Sequence, residues 1–168
     1  MTSEQVAELR VLLAQARVRP LTSAEHRRYV AACTELQDSL IHAQLLLAPK
    51  CAKVRRAYRA VRELRVELKV SGRASRGLTR DFSIGGFSAW LTEPPPTGVP
   101  LDFSLWLSGA RRPLKGTTSC RGCRRTADGR WRAAFQFVEV NQTDHGRLER
   151  EVVETALEML WPSGLLAS

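Results

Sequence analysis

Residues 64–86 read LRVELKVSGRASRGLTRDFSIGG, a stretch with two predicted strands and a polar turn motif. Apolar residues occupy every second position of its first half, at Leu64, Val66, Leu68 and Val70. This alternation is typical of a β-strand with one buried face. Ser71-Gly72 predicts a tight turn, after which a more polar strand continues toward Arg80. The stretch therefore predicts two neighbouring antiparallel strands.

The sequence beyond this stretch continues as short strands with turns between them. Further strands are predicted at 87–91, 101–107, 112–125 and 131–140. A proline-rich loop at 93–98 and the hairpin turn Ala127-Asp128-Gly129 separate them. Short strands joined by tight turns favour a small antiparallel barrel or sandwich. Because helices precede and follow these strands, the predicted fold class is α+β.

The C-terminal part has the pattern of one amphipathic helix. Thr143 or Asp144 is the predicted N-cap, and Trp161-Pro162 is the predicted end of the helix. The apolar face comprises Leu148, Val152, Val153, Ala156, Leu157 and Leu160. This spacing predicts a helix with one buried side.

Residues 1–49 have a helical pattern as well. Thr2-x-x-Gln5 and Thr22-x-x-Glu25 are capping-box sequences and predict two helix starts, while Arg19-Pro20-Leu21 ends the first helix. Apolar and small residues of the second helix recur in steps of four and three, at Tyr29, Cys33, Leu36, Leu40, Ala43 and Leu47. This seam predicts a helical hairpin with the first helix, a homodimer contact, or burial against the next domain.

These patterns predict three parts of the chain. We expect an N-terminal helical region at 1–49, which Pro49 ends, and a strand-rich domain with its closing helix at 50–161. A short tail is expected at 162–168. The chain has no apolar run of about 18 to 20 residues and no signal-peptide layout, which favours a cytoplasmic protein.

The chain is strongly basic, with 26 Lys+Arg against 17 Asp+Glu and a formal net charge of +9. Most of the cations are arginines, whose planar guanidinium pairs with phosphate through two parallel hydrogen bonds. A late basic group comprises Arg111, Arg112, Lys115, Arg121, Arg124, Arg125, Arg130 and Arg132. This group fits either a nucleic-acid surface or a solvated barrel wall.

The polar residues that usually carry catalysis or bind metals do not form a recognisable pattern. The three histidines are isolated, and Cys120-x-x-Cys123 has no second ligand pair at zinc-finger spacing. We therefore expect neither an enzyme nor a metal site, and we predict that the cysteine pair lies in a strand or turn.

Two short motifs lie on either side of the first predicted strand. Arg55-Arg56-Ala57-Tyr58-Arg59 is R-x-x-x-R, and Asp81-Phe82-Ser83-Ile84-Gly85-Gly86 is D-x-S-x-x-G. Guanidinium groups can hold phosphates and stack on bases, while an Asp, a Ser and a glycine turn can contact a base edge. Together the motifs suggest a site for a compact anionic nucleotide.

With these motifs and the late aromatic strand, residues 50–161 resemble the PilZ domain, the bacterial receptor module for cyclic di-GMP. The resemblance implies a six-stranded antiparallel barrel that binds cyclic di-GMP on its outer face. It implies that Arg55 and Arg59 contact phosphates and stack on guanine. Asp81 and Ser83 would hydrogen-bond the guanine edge or a phosphate, and Gly86 would allow close backbone approach.

Three further positions qualify the resemblance. Arg56 lies inside the first motif and is expected to assist it, and Arg80, beside the second motif, is an additional candidate. Ala134 stands where the family usually has a glycine in the last strand. The N-terminal helices lie outside the family pattern.

The resulting functional hypothesis is a cyclic di-GMP receptor that is not an enzyme. Ligand binding would order residues 50–60 and reposition the N-terminal helices, which signal to a protein partner in motility, exopolysaccharide or related regulation. One alternative is a nucleic-acid-binding transcriptional regulator that uses the basic surface. The other is a protein-interaction adaptor that does not depend on ligand.

Overall fold

The protein is described here by a computed structural model, which covers residues 1–47 and 57–160. The elements are α1 (Ser3–Val18), α2 (Ser23–Leu47), β1 (Arg65–Val70), β2 (Arg73–Ser83), β3 (Gly86–Leu91), β4 (Pro100–Leu105), β5 (Leu114–Arg125), β6 (Trp131–Val140) and α3 (Gln142–Leu160). The chain divides into two compact units, one made of Met1–Tyr58 with Ala156–Ser168 and the other of Arg59–Thr155. The predicted α+β class is confirmed.

The six strands form a closed antiparallel barrel in the order β1-β2-β3-β6-β5-β4. β4 pairs with β1 and so closes the sheet, which excludes a sandwich and confirms the six-stranded antiparallel barrel that the family resemblance implied. Aromatic rings fill the interior, and the rings of Phe87 and Phe135 stack with their centroids 4.9 Å apart. β4 ends at Leu105, two residues before its predicted end, although Leu107 is still buried.

The direction of the side chains in β2 changes at one extra residue. Thr79 pairs with Ala89, whereas Asp81 pairs with Ser88, so Arg80 is a β-bulge with no partner residue on β3. Side chains of a regular strand alternate between its two faces. A one-residue bulge breaks this alternation, so every residue after it takes the face opposite to the one that it would have in a regular strand. The bulge therefore turns Phe82 into the core and Asp81 to the outside of the barrel.

The two N-terminal helices form an antiparallel hairpin, as one of the three predictions for the seam had it. Arg28 Nη1 donates to Glu8 Oε1 at 3.0 Å, and Gln5 Nε2 donates to Glu35 Oε2 at 3.0 Å. The buried residues of the hairpin are Val6, Leu9, Leu12, Leu13, Leu36 and Leu40. Both predicted capping boxes are present, whereas Ala43 of the predicted seam is exposed.

The predicted N-cap of α3, Thr143 or Asp144, is wrong, because both residues lie inside the helix. The helix begins at Gln142, and the side-chain oxygen of Asn141 accepts a hydrogen bond from Asp144 N at 2.8 Å. Asn is among the best N-cap residues because its short side chain reaches the third backbone N–H of the helix. Leu160, the last residue of the predicted apolar face, is exposed, and Trp161-Pro162 lie outside the described residues.

Asp144 is buried at the start of α3 and is held by several donors. Arg147 Nη1 donates to it at 2.6 Å and Asn141 Nδ2 at 2.9 Å. Burial by itself raises the pKa of this carboxyl, but hydrogen bonds from Arg147, Asn141 and the backbone of Lys115 outweigh burial and lower it. The net effect is an Asp144 pKa below its ordinary value.

We expect deletion of Arg80 to leave the barrel folded, and Arg80→Ala to change the free energy of unfolding by less than about 1 kcal/mol. Deletion removes the extra residue, so Thr79, Asp81 and Phe82 become consecutive and still face inward, outward and inward, as in a regular strand. Arg80→Ala keeps the residue count and changes only an exposed side chain. Chemical denaturation of both variants checks this, and a deletion variant that does not fold would contradict the assignment of Arg80 as the extra residue.

We also expect Asp144→Asn to reduce the free energy of unfolding near pH 7 by about 1 to 3 kcal/mol. A carboxyl whose pKa is lower in the folded than in the unfolded state contributes stability above the unfolded pKa. That contribution is lost as the pH falls through the folded pKa. Denaturation between about pH 6 and pH 3 should therefore show the two proteins converging in stability at low pH. A constant difference would contradict this account.

Candidate functional site

The segment that follows the first motif is fixed along β2. Ala60 and Phe82 exchange two backbone hydrogen bonds, each 2.9 Å long. Thr79 Oγ1 accepts from Leu64 N at 2.8 Å and donates to Arg62 O at 2.6 Å. In an antiparallel pair the residue before Ala60 lies opposite the residue after Phe82. Arg59 is thus placed beside the second motif.

An ion pair joins the two motifs. Arg59 Nη1 donates to Asp81 Oδ1 at 2.5 Å, across 22 residues of sequence. Asp81 is only 8% exposed, although it lies on the outer face of the barrel. A charge-assisted hydrogen bond of this kind is roughly twice as strong as a neutral one. The last arginine of the first motif and the carboxylate of the second therefore form one partly buried unit.

Ser83 closes the turn between β2 and β3. Its Oγ donates to Gly86 O at 3.2 Å and accepts from Gly85 N at 3.4 Å. A Cβ on Gly86 would lie 2.1 Å from the carbonyl oxygen of Phe135, so β6 can approach β3 only because this residue is glycine. Gly86 thus has a structural role in the barrel, whereas no atom would crowd a Cβ on Gly85.

The remaining sequence-predicted site residues differ in their placement. Arg80 is exposed at the bulge, next to Asp81 in sequence. Arg55 and Arg56 lie outside the described residues. The structure therefore brings together Arg59, Asp81, Ser83 and Gly86.

A row of outer-face residues crosses the barrel at Asp81. The strand registers pair Asp81 with Ser88, Ser88 with Ala134, and Ala134 with Gly122. Ser88 was missed by sequence reasoning, although it stands between the core residues Phe87 and Ala89 and so must face outward. Ala134, where the family usually has glycine, is exposed in this same row. Ser88, Ala134 and Gly122 thus form the floor of the candidate site, which is the barrel surface beside the Arg59–Asp81 ion pair.

A buried carboxylate holds the motif segment from its other side. Arg62 Nη1 donates to Glu151 Oε1 at 3.1 Å, and the backbone N–H of Ser108 donates to Oε2 at 3.2 Å. Ser108 Oγ also donates to Glu151 Oε1. Glu151 is 4% exposed, and no sequence pattern pointed to it. This network fixes Arg62, three residues after Arg59.

Part of the late basic group lies on the side of the barrel that carries Ser88 and the ion pair. Arg132 pairs with Trp90 on β3 and with Arg124 on β5. Arg130 stacks over the Trp90 ring at 5.1 Å from its centroid and pairs with Asp128. Trp90, Arg132 and Arg124 form the outer-face row next to that of Ser88, and Arg130 lies over the Trp90 ring. Arginines and an aromatic ring therefore adjoin the floor of the candidate site.

A separate cavity of about 660 Å³ lies along β1, β4 and β5. Its charged lining residues are Glu67, Lys69, Asp102, Lys115 and Glu139. Of the motif residues that the structure describes, none lines the cavity, and its lining carries charges of both signs. The cavity therefore does not mark the site that the motifs predict.

Within the described ranges 1–47 and 57–160, no group of three or more His, Cys, Asp or Glu side chains is arranged to hold a metal ion. Cys120 and Cys123 lie in β5, in agreement with the predicted strand, and burial raises the pKa of the Cys120 thiol. Among those same residues, no helix is both long and apolar enough to span a membrane.

Comparisons with solved structures show the same barrel. The inhibitor of motility MotI/DgrA of Bacillus subtilis is 17% identical, with a TM-score of 0.57 over 66% of this chain and 57% of that one. The PilZ domain of YcgR from Escherichia coli, solved with c-di-GMP, is 17% identical, with a TM-score of 0.53 over 69% of this chain and 100% of that one. The longer YcgR chain from Escherichia coli, solved in complex with c-di-GMP, is 18% identical, with a TM-score of 0.57 over 68% of this chain and 51% of that one.

The chain thus spans less than two thirds of MotI/DgrA and of the longer YcgR chain. At these identities the likeness concerns the fold. No curated protein matches the chain. A family model of the PilZ domain matches residues 53–154, which is more than half of the sequence. The barrel, the two motifs and this match agree, and the chain belongs to the PilZ domain family.

Proposed function

We propose that this chain is a cyclic di-GMP receptor that binds the nucleotide through the unit formed by its two motifs. The observation that carries the proposal is the Arg59–Asp81 ion pair, which joins the motifs on the outer face of the barrel. Membership of the PilZ family supports it, as does the fold likeness to a YcgR domain solved with c-di-GMP. The proposed role is ligand binding without catalysis.

The ion pair serves as a latch in the absence of ligand. A partly buried carboxylate without a partner is costly, so Asp81 stays paired with Arg59 until a ligand supplies other donors. The guanine edge offers N–H donors to the carboxylate, and phosphate oxygens offer a two-point acceptor to the guanidinium. Cyclic di-GMP can therefore replace each partner of the latch.

The other motif residues complete the proposed site. Arg55 and Arg56, which lie outside the described residues, would add guanidinium groups for phosphate and base stacking. Ser83 and the Gly85-Gly86 turn shape the edge where the base approaches, and Arg80 extends the positive charge. The Arg62–Glu151 network keeps the anchored end of the segment in place.

The signalling part of the proposal concerns the connection between the two regions of the chain. We assign a helical region to 1–49, the PilZ domain to 50–161 and a tail to 162–168. Within residues 50–60, Arg59 and Ala60 are already held on the barrel, and ligand binding orders the residues that precede them. This ordering repositions the helices, which act on a protein partner or form a homodimer. The likeness to an inhibitor of motility supports motility regulation as the output.

We expect wild-type protein to bind cyclic di-GMP in calorimetry at or below tens of micromolar, and Arg59→Ala to bind at least about tenfold more weakly. Arg76→Ala is the matched control, because Arg76 is an exposed arginine on β2 that pairs with Glu67 at 3.0 Å. The control should bind within about twofold of wild type. Absence of wild-type binding, or equal loss in both variants, would contradict the proposal.

The latch also predicts coupling between Arg59 and Asp81 in the ligand-free protein. We expect Arg59→Ala to cost more stability in the wild-type background than in an Asp81→Asn background. The interaction energy from this double-mutant cycle should be about 0.5 to 3 kcal/mol, as for residues in direct contact. Chemical denaturation of the four proteins measures it. An additive result would show that the ion pair does not hold the motifs together.

A further inference from the structure

Ser88 is a buried polar residue in the middle of the outer-face row. It is 2% exposed, and its hydroxyl has no hydrogen-bond partner. Within the described part of the chain, only Gln15 and Thr155 also have buried side-chain oxygen atoms without partners. Neither of these lies in the row at the candidate site. A buried hydroxyl without a partner costs free energy, so its position next to a ligand-binding motif requires an explanation.

The strand neighbours of Ser88 leave its hydroxyl unpaired. Ala134, its partner on β6, offers only a methyl group. Asp81, its partner on β2, has a Cβ about 5 Å away by the geometry of paired strands, and its Oδ1 accepts from Arg59 and not from Ser88. The hydroxyl therefore lies beside the latch without taking part in it.

Asp81 and Ser88 together match the chemistry of a guanine edge. Guanine presents its O6 acceptor beside N–H donors on the same edge of the ring. A carboxylate accepts hydrogen bonds, whereas a serine hydroxyl can donate one. Two such groups on adjacent strands can therefore contact the donors and the acceptor of one base. Adenine, which has an amino group in place of O6, lacks this pattern.

We propose that Ser88 is a further ligand-binding residue of the nucleotide site, donating a hydrogen bond to guanine O6 while Asp81 accepts from the N–H groups. This inference rests on the proposed function and adds a residue outside both motifs. The contact forms when the nucleotide draws Arg59 away from Asp81 and opens the row. The unpaired hydroxyl of the ligand-free protein then gains its partner from the ligand.

The test is the Ser88→Ala variant, measured in calorimetry with cyclic di-GMP and in thermal unfolding without ligand. Loss of one neutral hydrogen bond should weaken binding about 3- to 10-fold. The Tm of the ligand-free protein should stay the same or rise, because the variant removes a buried hydroxyl that has no partner. Weaker binding together with undiminished stability is the expected result.

Thr155→Val is the matched control, since Thr155 is equally buried, has an unpaired hydroxyl and lies on α3. It should leave the affinity unchanged. Unchanged affinity in Ser88→Ala would overturn the inference but leave the proposed function standing. A lower Tm in Ser88→Ala, or equal loss of affinity in Thr155→Val, would also overturn it. If wild-type protein binds no cyclic di-GMP, the proposed function and this inference both fail.

Discussion

The β-bulge at Arg80 is the constraint on which the candidate site depends. β2 must supply Thr79 to the interior, where its hydroxyl anchors the motif segment, and must also supply Phe82 to the aromatic core. These residues are three apart, so a regular strand would place them on opposite faces. One extra residue between them resolves the conflict and sends Asp81 and Ser83 outward. The core and the site are therefore specified by the same irregularity.

Polar contacts then fix the segment that carries Arg59. Thr79 holds its backbone from one side, and the buried Glu151 holds Arg62 from another. With its anchored end fixed, Arg59 can pair with Asp81 at low entropic cost. A ligand that competes for this pair meets an assembled unit rather than two independent side chains.

Much of this arrangement was predictable because strand and helix periods are visible in sequence. The alternation at Leu64, Val66 and Leu68 predicted β1, and the capping boxes predicted the starts of α1 and α2. The start of α3 was missed because three neighbouring residues are all good caps, and only the contact from Asn141 to Asp144 decides among them. Ser88 and Glu151 were missed for a different reason. Their importance arises from burial and from partners distant in the chain, which no local pattern contains.

The sequence by itself determined the six strands, the helices at both ends and the two motifs, because these follow from side-chain periodicity and from residue chemistry over short distances. Residue periodicity left barrel and sandwich open, and the family resemblance implied the barrel that the structure confirms. Tertiary structure alone decided that Arg59 meets Asp81 across 22 residues. It also decided that Ser88 lies unpaired beside them. The physical reason is that register and bulges are set by how whole strands share one core. The bulge at Arg80 decides that Asp81 and Ser83 lie on the outer face of the barrel, although the motif sequence itself would be the same in a regular strand.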